Sequence, residues 1–286
     1  MKRSLILSGL LLSLLAMPVV QAADEETAEN HSKELDKFYL RLGAFLPLAY
    51  KNQVRVDTDY ILSATIDTES TLGQSDPDVT PRIEGYWRFR PKHSVGFVYW
   101  KLDQSGSKII DEDITWDEKT TFIKGQTSSY FEQETFKIDY TYSFYRSTKV
   151  ELGLSGGLHI TRYDFGISGQ ADTFDEDGNQ TGSGVASSES VDVTAPLPVL
   201  GFKLNYNFTP KTRLMYKTDF FAIRFDKYRG NLIDSSLVLE YRPWKHVGFG
   251  GGLNSIQIQG ESNEDEGNIG FYNRAMGGQL YLTLHY

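Results

Sequence analysis

GGQLYLTLHY, Gly277 to Tyr286, together with the preceding Met276, sets Met276, Leu280, Leu282, Leu284 and Tyr286 on alternate positions. Successive side chains of a β-strand point to opposite faces, so this stretch reads as a strand with one apolar face that stops on an aromatic. The same period runs upstream. In TFKIDYTYSFY (Thr135 to Tyr145), Phe136, Ile138, Tyr140, Tyr142 and Phe144 share one face, and Lys137, Asp139, Thr141 and Ser143 share the other. In VELGLSGGLHI (Val150 to Ile160), Val150, Leu152, Leu154, Leu158 and Ile160 oppose Glu151, Ser155 and His159. In RIEGYWRF (Arg82 to Phe89), Ile83, Trp87 and Phe89 oppose Arg82, Glu84, Tyr86 and Arg88. A period of two this regular leaves no room for a helix.

Between such strands a second motif recurs: aromatics, a tight turn with Pro or Ser beside a cation, and a new strand. Its copies are YWRFRPKHSVGFVY (Tyr86 to Tyr99), YSFYRSTKVELGL (Tyr142 to Leu154), NYNFTPKTRLMY (Asn205 to Tyr216) and LEYRPWKHVGFG (Leu239 to Gly250). Each reads as a hairpin with a very short connection. The hairpins alternate with longer polar segments at 51–80, 103–129, 169–194, 227–231 and 260–269, read as loops. Short turns at one rim and long loops at the other mark a transmembrane antiparallel up-and-down β-barrel. Ten strands are expected, near 38–50, 81–91, 93–103, 130–146, 148–168, 195–209, 211–226, 231–243, 246–259 and 270–286, with eight or twelve as alternatives. Both ends then fall at the periplasmic rim, where the last strand pairs with the first and removes both sheet edges. The rival is a soluble antiparallel sandwich, which also alternates. It would bury the aromatic faces and solvate the charged ones.

Residues 1–22, MKRSLILSGLLLSLLAMPVVQA, have two cations, a short apolar run and a small residue at Ala22, the layout of a signal peptide. The acidic stretch 23–36 reads as a loose tail, and 37–286 as the barrel. After the leader no segment reaches the ~20 apolar residues of a spanning helix. Mean hydropathy is −0.38, a value that alternating strands also produce. There is no Cys, which excludes disulfides and thiolate metal sites. The net charge of −9 argues against nucleic acid. No cofactor and no metal site is assigned.

The terminal strand, with Leu280, Leu282, Leu284 and Tyr286 on one face, resembles the C-terminal signal strand of Gram-negative outer-membrane barrels. That resemblance implies recognition by the barrel-assembly machinery, an outer-membrane location reached through the periplasm, and contact with lipid and lipopolysaccharide. Ten strands with long outer loops is similar to the omptin proteases, whose acidic and histidine pairs sit at the outer rim. The outer-loop segments here hold no His, and His159 is placed within a strand, so no catalytic residue is carried over.

The inward faces collect a mixed set of charges: Arg41, Arg82, Glu84, Arg88, Lys137, Asp139, Glu151, His159, Lys203, Lys217, Asp219 and Glu240. Eight strands are just filled by side chains and sixteen leave a channel, so ten should leave a narrow or blocked bore, with these charges paired. Glu151, Ser155 and His159 suggest nucleophilic catalysis, but at about 3.3 Å per residue positions four apart lie roughly 13 Å from each other. His93, His246 and His285 lie at the periplasmic rim. Asp175, Asp177 and Asn179 partly match a calcium loop but lack its terminal Glu, and Asp177-Gly178 is a turn signal. The acidic runs Asp111, Glu112, Asp113, Asp117, Glu118 and Glu261, Glu264, Asp265, Glu266 are a solvated face, or a place where divalent cations bridge to lipopolysaccharide phosphates. The leading expectation is a non-enzymatic outer-membrane protein of structural or surface-interaction type. Two alternatives stay open: a porin-like channel for small or hydrophobic solutes, and a lipid- or peptide-hydrolysing barrel.

Overall fold

The computed structural model describes residues 36–58, 64–74, 78–110, 113–115, 120–175, 177, 179–225, 227–264 and 267–286. The leader 1–22 and all but the last residue of the tail 23–36 lie outside the described residues. Ten long strands form the wall: β1 (Phe38–Thr58), β2 (Thr80–Arg90), β3 (His93–Ile110), β4 (Gly125–Arg146), β5 (Val150–Phe174), β6 (Gln180–Thr209), β7 (Thr212–Phe225), β8 (Tyr228–Tyr241), β9 (Val247–Glu264) and β10 (Gly267–His285). Each pairs antiparallel with its sequence neighbour, and β10 pairs with β1 from Tyr39↔His285 to Thr58↔Gly267, closing the ring. At the seam the Lys37 and Phe38 amides donate to the Tyr286 carbonyl at 2.6 and 2.9 Å, and the Tyr286 amide returns a bond to Phe38.

The faces sort as in a membrane barrel. Trp87 is 60% exposed, Leu154 57% and Leu280 61%, while their sequence neighbours Arg88, Ser155 and Tyr281 are buried. Apolar side chains outside and charged ones inside invert a soluble sandwich, and a continuous exposed apolar band calls for lipid. Near the short-turn rim the band becomes aromatic: Phe89, His93, Tyr140 and Tyr142 lie ring to ring, and the His246 ring stacks on Tyr286 at 5.7 Å. One irregularity matters inside. A bulge between Pro47 and Ala49 places Leu48 outward at 72% exposure and shifts the alternation, so that Tyr50 and Asn52 turn into the bore after Phe45.

The segments read as loops are shorter than expected because the strands run on above the membrane. β6 is 30 residues long, and β5 and β6 pair through most of 169–194. Likewise β3 and β4 pair from Gln104↔Phe131 out to Ile110↔Gly125, and β9 and β10 out to Glu264↔Gly267. These extensions are rich in Ser, Thr and Gln, and ladder hydrogen bonds hold a strand in water as well as in lipid. The first outer segment is also folded: Ala64–Asp67 pairs with Gln53–Val56 and leads into a one-turn helix, Thr68–Leu72, capped by Asp67 and ended by Gly73 at φ 66. Leu72 sits with Ile110, Phe122, Ile167 and Ala171 inside the outer mouth. Of the acidic runs, Asp111, Glu112, Asp117, Glu118, Asp265 and Glu266 lie outside the described residues, whereas Asp113 and Glu261 are exposed.

Candidate functional site

The bore of the barrel collects the charged side chains. Its floor, nearest the short turns, is a cluster around Glu240 on β8. That carboxylate accepts hydrogen bonds from the Tyr39 hydroxyl of β1 and from Arg242 Nε at 2.5 Å, and forms an ion pair with Arg213, whose Nε lies 2.9 Å away. Asp36 grips the same two arginines, at 3.3 Å from Arg213 and 2.6 Å from Arg242, and the Arg213 guanidinium lies 4.8 Å from the Tyr39 ring centre. On the other side Glu151 of β5 accepts from Arg88 of β2 at 2.8 Å, Ser143 at 2.5 Å and Asn205 at 3.0 Å. Lys203 rests over the face of Tyr86, 4.6 Å from its centre.

Above the floor lies a second charged layer. Lys137 of β4 reaches across to Asp219 of β7 at 2.6 Å and Asp234 of β8 at 2.9 Å, and Lys217 of β7 reaches back to Asp139 of β4 at 2.5 Å. Arg41 binds Glu84, which Arg82 also approaches at 3.5 Å. Asp234 accepts a further bond from Asn254 at 3.0 Å. Gly201 leaves room for this layer: a Cβ there would stand 2.1 Å from Asp219 Oδ1 and 2.3 Å from Ser155 Oγ. Charges buried in a confined space are tolerated when they are paired and hydrogen-bonded, and the Lys137 and Lys217 pairs tie strands three and four places apart around the ring. The free space among them is a cavity of about 100 Å³ bordered by Lys203, Lys217, Asp139 and Asp219, enough for a few water molecules at ~30 Å³ each.

A third layer is apolar. Phe45 of β1 clusters with Val199 of β6, and Val98, Trp100 and Leu102 of β3 cluster with Leu232 of β8 and Ile256 and Ile258 of β9. In a ring of ten, β1 faces β6 and β3 faces β8, so the cluster spans the diameter. Leu102 and Leu232 are 0% exposed. Higher still, Tyr50 accepts from Asn52 and Asn273 and donates to Gln133.

The structure thus places all twelve inward candidates on the inner wall and brings them into common clusters, His159 excepted. His159 is fully buried. Its Nδ1 meets Thr161 Oγ1 at 3.2 Å, and its Nε2 has no hydrogen-bond partner among the described atoms. Ser155 turns instead to Asp219, at 3.5 Å. Among the described residues no serine or carboxylate is hydrogen-bonded to His159, so Glu151, Ser155 and His159 do not form a nucleophile–base pair. His93, His246 and His285 lie at the short-turn rim, and no described His lies at the outer rim. Asp175 Oδ1 accepts the amides of Asp177 at 3.0 Å and Asn179 at 2.8 Å, and the Asp175 amide donates to the Asn179 carbonyl at 3.0 Å; Gly178 of the expected turn lies outside the described residues. No cluster of potential metal ligands occurs among the described residues.

Sequence reasoning missed Asp36, Tyr39, Arg213, Asp234 and Arg242 as parts of the charged layers, and it missed the apolar layer entirely. The available signal was parity: Val98, Trp100 and Leu102 continue the inward alternation of Ser94 along β3, as Leu232 does that of Asp234 on β8.

No family model matches the chain, and no curated protein matches it. Among solved structures, the outer-membrane protease OmpT from Escherichia coli superposes with a TM-score of 0.56 at 12% identity, covering 87% of this chain and 96% of OmpT. The toluene transporter TodX of P. putida aligns with a TM-score of 0.37 at 9% identity over 91% of this chain and 92% of its own. Ail, the attachment invasion locus protein of Yersinia pestis, in complex with sucrose octasulfate, aligns with a TM-score of 0.29 at 10% identity over 85% and 99%. The likeness to OmpT is one of fold. The chain has the architecture of the Gram-negative outer-membrane β-barrels.

Proposed function

We propose that this outer-membrane barrel works as a closed scaffold that presents its outer strands for surface contact, rather than as a channel or hydrolase. One observation carries the reading. The apolar layer, with residues from facing strands in one cluster, and the charged layer beneath it, with Lys137 joined across to Asp219 and Asp234, close the bore twice in series. Ions must shed water to pass the first and break buried pairs to pass the second. What remains accessible is outside the membrane: a sheet extended well above it. The outer face meets lipid and lipopolysaccharide, and the chain is delivered there by the barrel-assembly machinery. The test is conductance of the purified protein in planar bilayers across several salts. The expected record is flat, and discrete steps of constant size would overturn the reading.

A further inference from the structure

Among the edges of the outer extension, one is guarded and one is bare. The β3 edge beyond β2 is covered by the first outer segment: Gln74 bridges Gly106, and Lys108 Nζ donates to the Ser70 carbonyl at 2.5 Å. On the far side, β6 pairs with β7 only from Leu200↔Phe220 down to Thr209↔Thr212. From Val185 to Val199 it pairs without interruption with β5, and no described strand or bridge takes its other side. Proteins normally blunt such an edge with Lys, with Pro or by making it short. No Lys or Arg occurs between Gln180 and Phe202, and Pro196 and Pro198 blunt only the lower end of the edge, leaving Val185 to Thr194 without Pro.

Pro196 and Pro198 show which backbone groups are free. Both sit in the unbroken β5–β6 ladder, opposite Ile160 and Leu158. Proline has no N–H, so an intact ladder requires these positions to point away from β5. They would otherwise meet Arg224 and Ala222, and β7 pairing ends where they begin. By alternation, Ala186, Ser188, Ser190, Asp192 and Thr194 also aim their N–H and C=O groups at the bare side. Val185, Val191 and Val193 stand at 42%, 49% and 55% exposure on the face that lines the barrel below, and Ser188, Ser190 and Asp192 lie on the other face.

We propose that the occupant of this edge is the same edge of a second copy, antiparallel about a two-fold axis at Ser188. This deepens the surface-contact reading and rests on it. In that register Val185 faces the second copy's Val191, Ser190 faces Ala186, Glu189 faces Ser187 and Asp192 faces Gly184, so no carboxylate opposes another. The facing residues Ala186, Ser188 and Ser190 are ones whose backbone groups point outward, and they exchange about six main-chain hydrogen bonds, two per pair. Antiparallel pairing turns the second barrel end over end. Two copies in one bilayer carry their β6 strands in the same sense, so the contact joins two membranes that face each other.

The test uses the full barrel in phosphatidylcholine vesicles, in donor- and acceptor-labelled populations. Protein-bearing vesicles should cluster with one another and not with empty ones, and more so as salt screens the acidic edges. Ser188→Pro, which removes an outward N–H and fixes φ at a position that donates nothing to β5, should lower clustering at least tenfold. The chain has no Cys, so Ser188→Cys offers a second reading that leaves the ladder intact. A hydrogen-bonded antiparallel pair sets Cα atoms about 5.5 Å apart, within disulfide range, and oxidation should yield a covalent dimer. Thr194→Cys, which lies far from its own counterpart in this register, should not. Cross-linking of both variants to equal extent would mean parallel pairing within one membrane and would overturn the proposal. So would clustering with empty vesicles, or none at all. A flat conductance record without clustering removes only this inference, whereas discrete steps remove the closed-bore reading itself.

Discussion

Lys137 is held by two carboxylates from two other strands, and its loss would strand both. Lys137→Met takes the nearest cation from Asp219 and Asp234, 1% and 7% exposed, leaving Lys217 at 4.0 Å from Asp219, and breaking buried pairs in this way costs about 3–5 kcal/mol. Guanidinium unfolding in detergent, followed by Trp fluorescence, should show that loss. Adding Asp219→Asn and Asp234→Asn should recover most of it, and no recovery would mean that packing dominates. A different residue reports pH. Asp175, outside the membrane strands, is held below the ordinary carboxyl range by the backbone and side-chain hydrogen bonds it accepts from Asn179. A lowered carboxyl pKa stabilises the Asp175–Asn179 contacts above the ordinary value near 4 and loses that support as pH falls through the lowered one. Amide exchange at Asn179, normalised for its intrinsic pH dependence, should accelerate over that acidic window and stay constant above pH 5. At this scale polarity was legible but partnership was not. Lys137 alternates with Phe136 and Ile138, which fixes the side it faces; nothing local says that its partners come from β7 and β8.

Strands were legible where lipid enforces a contrast between faces. The stretch from Phe136 to Phe144 needs only its own alternation, since an apolar outward face is the condition for crossing the bilayer. The same contrast predicts the cost of breaking it. Leu282→Arg, on the outer face at 61% exposure, should destabilise the barrel by up to about 2–4 kcal/mol at the bilayer midplane and less toward the interface. The neutral swap Leu282→Val should cost less than a quarter of that. The measurement is unfolding from vesicles, and equal effects of the two changes would show that the position does not meet hydrocarbon. Where water lies on both sides the contrast vanishes. Gln180 to Thr194 sets only Val185, Val191 and Val193 on one face, among Ser, Thr and Glu189 on that same face, too weak a contrast to read as a strand although its main chain continues the β5 ladder.

For the whole molecule, ring closure followed from the even alternation of short and long connections, while the filling of the bore did not, because it depends on which side chains meet across a diameter. Trp100 shows the difference: its inward position is set by parity with Ser94, but its place in one cluster with Leu232 of the facing strand β8 emerges only in the closed ring. Trp100→Ala should cost about 3–5 kcal/mol and still pass no ions in planar bilayers, since the charged layer remains below. Conduction by this single variant would show that the apolar layer alone seals the bore. The seam carries a last consequence. With the Lys37 amide bonded to the Tyr286 carbonyl, a linker of a few residues could join Tyr286 to Asp36, and new ends could be cut after Trp244, between the Arg242 amide bonded to Lys211 and the His246 carbonyl bonded to His285. The finished cylinder is indifferent to where its polypeptide starts. A permuted chain, ending on Trp244 in place of Tyr286, would therefore separate what the folded shape requires from what the order of synthesis and insertion requires.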